Sequence, residues 1–423
     1  LRRRTLPETV ERSLLRLRRR TLLETVERSL LRLRRRTLPE TVERSLLRLR
    51  GQMLLEIVER SLLRWKSQVP RMRSKLRSTG RGAMQRSKLR STGCGEARRA
   101  RVLEGRAVVR ELLITRARLH DTIRAFFRAR GVLEVTTPVL SQAGNTDPNI
   151  DSFTTRYHGP QAGGPAQRWL RTSPEFCMKR LLAGGSGDIF EIAPVFRDGE
   201  CGARHNPELT LLEWYRVGFD HHALMHEVEA LVRAVAMAFG REPVAARRLS
   251  FQQAFIAHAA IDPLAADEDA LWQALAGYGI ERAGLGRDDL LDLIRSHIVE
   301  PALAAEPAVF VHAFPASQAA LARLDPDDPR VARRFELYLG GAEIANGYHE
   351  LGDPAEQRAR FEHDLATRRA RGTAEPAIDE HLLAALPSMP ACAGVAVGLE
   401  RLLGWATGEP RIDRLLAFPF ALA

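Results

Sequence analysis

The stretch F-R-D-G-E-C-G-A-R-H-N-P-E-L-T-L-L-E-W-Y, residues 196–215, decides how this chain is read. It is preceded by D-I-F-E-I-A-P-V-F, whose β-branched and aromatic alternation predicts a strand, and L-T-L-L-E-W-Y predicts a second strand after a Gly-containing turn. The segment is a long-looped antiparallel hairpin. Its mouth carries Arg197, Arg204 and His205, and its second strand returns a carboxylate, Glu213. Guanidinium forks match phosphate oxygens, and a carboxylate turned into a site matches an ammonium group. The pattern points to a triphosphate held beside an amine.

Composition sets the frame around this hairpin. The 423 residues suffice for two or three domains, and 45% hydrophobic content is that of a globular protein. The net charge of +12 misleads: residues 1–100 hold 29 Lys and Arg against 9 Asp and Glu, while the rest holds 35 against 43. The acidic body therefore has no broad electrostatic footprint for nucleic acid. Cys94, Cys177, Cys201 and Cys392 are too widely spaced for a zinc site or a disulfide framework, which is the pattern of reduced cytoplasmic thiols. No apolar run approaches the ~20 residues of a membrane span.

Residues 1–64 are a tandem repeat. L-R-R-R-T-L-P-E-T-V-E-R-S-L-L-R begins at Leu1, recurs with one change at Leu17, returns at Leu33 and decays from Leu49. At ~100° per residue, a 16-residue period turns each copy's apolar face ~160° from the last, so no common stripe forms. R-S-K-L-R-S-T-G then occurs at 73–80 and again at 86–93. Two unrelated repeats in succession resemble translated repetitive DNA more than a selected fold. The expected organisation is a basic, disordered or loosely helical extension over 1–105, with a basic RNA-binding or membrane-surface arm as the alternative, and a catalytic domain over 106–423.

Further motifs follow in order. T-R-A-R-L-H-D-T-I-R-A-F-F-R-A-R (115–130) predicts an amphipathic helix ended by Gly131, and V-L-E-V-T-T-P a strand running into Pro138. In W-L-R-T-S-P-E-F-C-M-K-R-L-L-A-G-G (169–185), Ser173 and Pro174 fit the N-cap and first position of a helix lasting to Gly184. Residues 220–330 read as a helical insertion covering one edge of the sheet. In R-F-E-L-Y-L-G-G-A-E-I-A-N-G-Y-H-E-L (334–351), a turn at Gly340-Gly341 could bring Glu336 and Glu343 to one site as hard oxygen ligands. C-A-G-V-A-V-G-L-E-R-L-L (392–403) predicts a strand leading to a helix near Leu399.

Together these stretches resemble the three motifs of the class II aminoacyl-tRNA synthetases, and H-N-P-E-L-T resembles the lysyl branch. The resemblance spans residues ~115–423. It implies an α+β fold, an antiparallel sheet flanked by helices, and a homodimer formed through the motif 1 region around Pro138. It implies that Arg197 holds the α-phosphate of ATP and the substrate carboxylate, and that His205 and Arg401 hold the departing phosphates. Glu200, Arg204, Asn206 and Leu209 complete the ATP side, and Glu336 and Glu343 hold Mg²⁺. Ser173, Glu175, Glu213 and Tyr215, with Ala345, Asn346 and Glu350, line a lysine or β-lysine pocket.

Two positions depart from the family pattern. Gly199 stands where motif 2 has its glutamate, with Glu200 one step on, and Leu209 replaces an aromatic that stacks on adenine. These departures keep open a catalytically weak paralogue acting as a binding module. The repeats lack the strand alternation of an anticodon-reading barrel. The chain therefore resembles the branch that ligates (R)-β-lysine to a lysine of elongation factor P, which makes tRNA an unlikely acceptor; the alternative is a truncated synthetase that charges tRNA. Ser173, Ala345 and the F-P-A-S-Q run at 314–318 agree with that branch, Ala345 through a methyl expected beside the α-amino group.

Overall fold

The computed structural model describes residues 94–423 except 161–165, 204 and 283, with side chains from residue 109 onward. The repeats of residues 1–93 and Arg204 lie outside the described residues. Helix α1 (Cys94–Arg128) leads to β1 (Leu133–Glu134), and three short strands follow, β2 (Leu140–Ser141), β3 (Thr154–Arg156) and β4 (Gln167–Leu170). Next come helix α2 (Glu175–Ala183), the hairpin strands β5 (Ile189–Phe196) and β6 (Glu208–Val217), and helix α3 (His221–Ala238). The chain then forms β7 (Arg247–Ser250), α4 (Phe251–Ala259), α5 (Glu268–Ala274), α6 (Arg287–Ile294), a π-helical turn at Arg295–Val299, α7 (Glu300–Leu303) and β8 (Ala308–Pro315). A second hairpin, β9 (Val331–Leu339) and β10 (Ala342–His349), precedes α8 (Pro354–Arg371), α9 (Glu380–Ala385), β11 (Cys392–Gly398) and α10 (Leu399–Thr407).

Eight strands form the main sheet in the order β1-β5-β6-β11-β10-β9-β8-β7, and β2-β4-β3 form a small second one. Every pairing from β5 across to β8 is antiparallel; the outermost strands β1 and β7 run parallel to their neighbours. This is the antiparallel sheet with flanking helices that the sequence predicts. The 196–215 hairpin pairs Phe196 with Glu208 and Ile189 with Tyr215. At the second hairpin, Gly340 and Gly341 both take positive φ, 56° and 78°, which suits a two-residue turn matched to strand twist.

The two faces of the sheet divide by the period of two along each strand. Leu212, Trp214, Phe335, Leu337, Val395 and Val397 point to one face, into a core completed by α1, α3 and α10. Their neighbours Glu213, Tyr215, Glu336 and Asn346 belong to the other face, where the candidate site lies. Helix α3 starts cleanly because Asp220 accepts the Ala223 N–H at 2.8 Å.

Three local expectations change. Residues 220–330 are not only helical: they also supply β7 and β8, two strands of the main sheet. A-V-F-V-H-A-F-P is largely buried along β8, so it lacks the alternation that marks a half-exposed strand. Helix α1 extends upstream of Thr115 as far as Cys94. The strand predicted into Pro138 keeps only Leu133–Glu134, because Thr137 turns both its N–H and its hydroxyl onto Glu191, at 3.1 and 2.7 Å.

Candidate active site

Helix α2, strand β6 and the end of β10 bring three carboxylates together. Glu213 is 2% exposed, and its oxygens accept hydroxyls from Ser173 at 2.7 Å and Tyr215 at 3.4 Å. Ser173 also accepts the Glu175 N–H at 2.9 Å, so it serves the start of α2 and the pocket at once. Glu175 and Glu350 meet on Lys179, whose Nζ lies 2.6 Å from an oxygen of each. These are ion contacts without hydrogen-bond geometry. Lys179 is thus shared between two carboxylates, whose oxygens keep lone pairs free for a ligand's donors.

Electrostatics follow from this burial. Desolvation, reinforced by Glu175, pushes the Glu213 carboxyl up to about 8. Desolvation pushes Glu350 up to about 7 although Lys179 opposes it. Desolvation alone would lower the Lys179 ammonium, but Glu175 and Glu350 outweigh it and hold it above its ordinary value. Gly394 on β11 makes room for the whole arrangement. A Cβ there would stand 2.3 Å from the Tyr215 ring and 2.5 Å from Glu350 Oε1.

Beside the pocket lies a cationic mouth. Arg197 Nε is buried without a hydrogen-bond partner, and the contact to Glu200 is a loose 3.7 Å, so its fork is available to an anion. Arg401, in the first turn of α10, reaches His205 Nε2 at 2.9 Å and the Glu343 backbone oxygen and carboxylate at 2.9 and 3.3 Å. Burial, and then Arg401, hold the His205 imidazole below its ordinary pKa, so its ring accepts from the guanidinium. Leu209 is half-buried against Ala193, Val195 and Leu211. Gly199 has φ +79°, which explains why glycine, and not glutamate, occupies that step of the loop. Asn206 ties the loop to the C-terminal segment: Nδ2 donates to the Glu208 backbone oxygen at 2.5 Å, and Oδ1 accepts the Phe420 N–H at 3.0 Å.

The structure separates two residues from the roles expected of them. Glu336 is 1% exposed, and its oxygens accept from Arg334 at 2.6 Å, the Tyr338 hydroxyl at 2.5 Å, Arg295 at 3.4 Å and Asn346 at 3.5 Å. Burial would raise this carboxyl, but Arg295 and Arg334 hold it below its ordinary value. A carboxylate so fully engaged by guanidinium groups does not fit a Mg²⁺ ligand. Glu343, half-exposed beside Arg401, is the one member of the pair with an accessible carboxylate. Ala345 is 1% exposed and packs in the core on the far face, with Val397 and Leu399, so its methyl does not shape the pocket.

Sequence reasoning missed Lys179, Gly394, Arg295 and Arg334. The spacing of Glu175 and Lys179, four apart on one helix face, was the available signal for the first. The F-P-A-S-Q run has its role beside the site: Gln318 accepts Arg334 on its carbonyl at 2.7 Å, and Ser317 bonds Asp288 of α6 at 2.7 Å.

Comparison with known proteins agrees with this geometry. Residues 97–421 match the family described as tRNA synthetases class II (D, K and N). The chain is 48% identical over 312 residues to the elongation factor P--(R)-beta-lysine ligase of Vibrio cholerae, covering 73% of this chain and 95% of that one. It is 48% identical over 317 residues to the protein of the same name from Vibrio vulnificus, covering 74% and 97%. The like-named protein of Edwardsiella ictaluri is 47% identical over 310 residues, covering 72% and 94%. The extent of these matches and the three motifs around one antiparallel sheet lead to the same conclusion: this chain belongs to the class II tRNA synthetase family.

Proposed function

We propose that the protein activates (R)-β-lysine with ATP and transfers it to a lysine side chain of elongation factor P. The observation that carries this reading is the trio of buried Glu213 and Glu350 with partly buried Glu175, beside the loosely paired fork of Arg197. Two ammonium groups satisfy the trio, and the substrate carboxylate reaches Arg197, where an α-phosphate also fits. A carboxylate oxygen attacks the α-phosphorus, the bond to the bridging oxygen breaks, and pyrophosphate leaves toward Arg401 and His205. The acceptor amine then attacks the acyl carbon of the adenylate, and AMP departs with the bonding pair. No enzyme nucleophile is needed, only positioning and fixed charge. The acceptor is read from the relatives' shared name and from their near-complete coverage by this chain. Two copies pair through the segment around Pro138.

The test is direct. Purified protein, ATP and either lysine or (R)-β-lysine are mixed with elongation factor P or with tRNA. A mass gain on the protein acceptor with (R)-β-lysine is expected; charging of RNA alone would overturn the proposal.

A further inference from the structure

Resting on that reading, we propose that Lys179 is a specificity-determining positioning residue, a buried internal ammonium that takes up the charge of one of the three pocket carboxylates, so that two remain to be paired by the two ammonium groups of a diamino acid. Three carboxylates line the pocket, so without Lys179 they would call for three cations. Lys179 is 1% exposed and sits on α2 one turn beyond Glu175. Its Nζ lies 2.6 Å from Glu175 and 2.6 Å from Glu350, which emerges from the far end of β10. One side chain thus fixes the spacing between carboxylates carried by different elements. The other buried carboxylate of the site, Glu213, has hydroxyl partners only, from Ser173 and Tyr215.

A substrate with one ammonium leaves a buried carboxylate unpaired, and a substrate with two leaves none. Discrimination of this kind is strong because the penalty falls on the site's own buried groups. The competing view is that Lys179 merely pins α2 to β10. The two differ in what happens when charge alone is removed.

Lys179→Met keeps most of the stem and deletes the ammonium. At pH 7, ATP–pyrophosphate exchange by K179M should show a KM for (R)-β-lysine raised about tenfold or more, with a much smaller change in kcat. The pH at which KM stops improving should move upward, because Lys179 no longer helps Glu350 to ionise. Lys179→Ala should be rescued by propylammonium, which restores the deleted carbons and the charge, and not by propanol. Circular dichroism reports folding, and if K179M unfolds, the rescue of K179A carries the test. Thermal-shift binding of lysine, (R)-β-lysine and norleucine to parent and variants reads the charge match without turnover. A K179M variant with the parent's KM and pH profile, or rescue by propanol as good as by propylammonium, overturns the assignment. Failure of the parent to exchange pyrophosphate with either isomer sinks the functional reading instead, and equal binding of norleucine and lysine by the parent sinks the charge match.

Discussion

At the scale of single residues, the pocket is set by what each side chain leaves room for and what charge it returns. Gly394→Ala is expected to raise KM for the diamino acid by about a hundredfold while the protein stays folded, since its Cβ would overlap the Tyr215 ring and Glu350; exchange kinetics and circular dichroism check both halves. Ala345→Gly should cost roughly 1 kcal/mol of stability and leave the ratio of (R)-β-lysine to lysine exchange rates unchanged, because its methyl lies in the far core. Glu213 supplies a pH signature. Its carboxyl is raised to about 8, so the folded protein with an empty pocket binds a proton more tightly than the unfolded chain does. Stability of the empty protein from this group therefore falls as pH rises from the ordinary carboxylate range through about 8. A bound ammonium replaces that proton. Substrate binding at pH 7 should release protons, seen as a dependence of calorimetric heat on buffer ionisation enthalpy, and substrate should raise Tm more at pH 8 than at pH 6. Glu175, Glu213 and Glu350 were legible in the sequence through the family motifs. Lys179 is not legible as part of the pocket, because its second partner, Glu350, is remote in the chain and a lysine on a helix is ordinarily solvated. The face of Ala345 is not legible either, because a motif fixes which residues are adjacent, not which face of a strand each one takes.

At the scale of elements, both hairpins and the strand-to-helix step at Leu399 could be read from alternation, glycine placement and helix periodicity. Strand β8 could not, since its buried run carries no alternation, and α1 begins in an Arg-rich stretch interrupted by Gly105. The start of α2 offers a test at this scale. Ser173→Ala removes the acceptor of the Glu175 N–H and a donor to Glu213. Loss of such a helix-start bond typically costs about 1 kcal/mol, visible as a lower Tm. The same hydroxyl helps Glu213 ionise, so proton release on substrate binding should persist to higher pH in the variant. The π-helical turn at Arg295–Val299 has a comparable positioning consequence, because it sends Arg295 to Glu336. Such turns are commonly found at functional sites.

At the scale of the molecule, the family match begins at residue 97, just after the repeats. Removing residues 1–93 should therefore leave pyrophosphate exchange and Tm unchanged, as measured on full-length and shortened proteins side by side. Loss of exchange by a folded shortened protein would assign the repeats a catalytic part. A longer-range link runs through the sheet. Glu191 on β5 stands in register with Glu213 on β6, and its charge is held by Arg171 at 2.9 Å and by Thr137, the residue before Pro138. Like charges facing each other across strands repel, so the proton affinity of Glu213 depends on how well Glu191 is neutralised. If two copies meet around Pro138, the contact between them reaches the ammonium-binding carboxylate of Glu213 through one threonine and one glutamate. Affinity for the diamino acid then becomes a gauge of subunit association, tightening as protein concentration is raised from dissociated to paired protein.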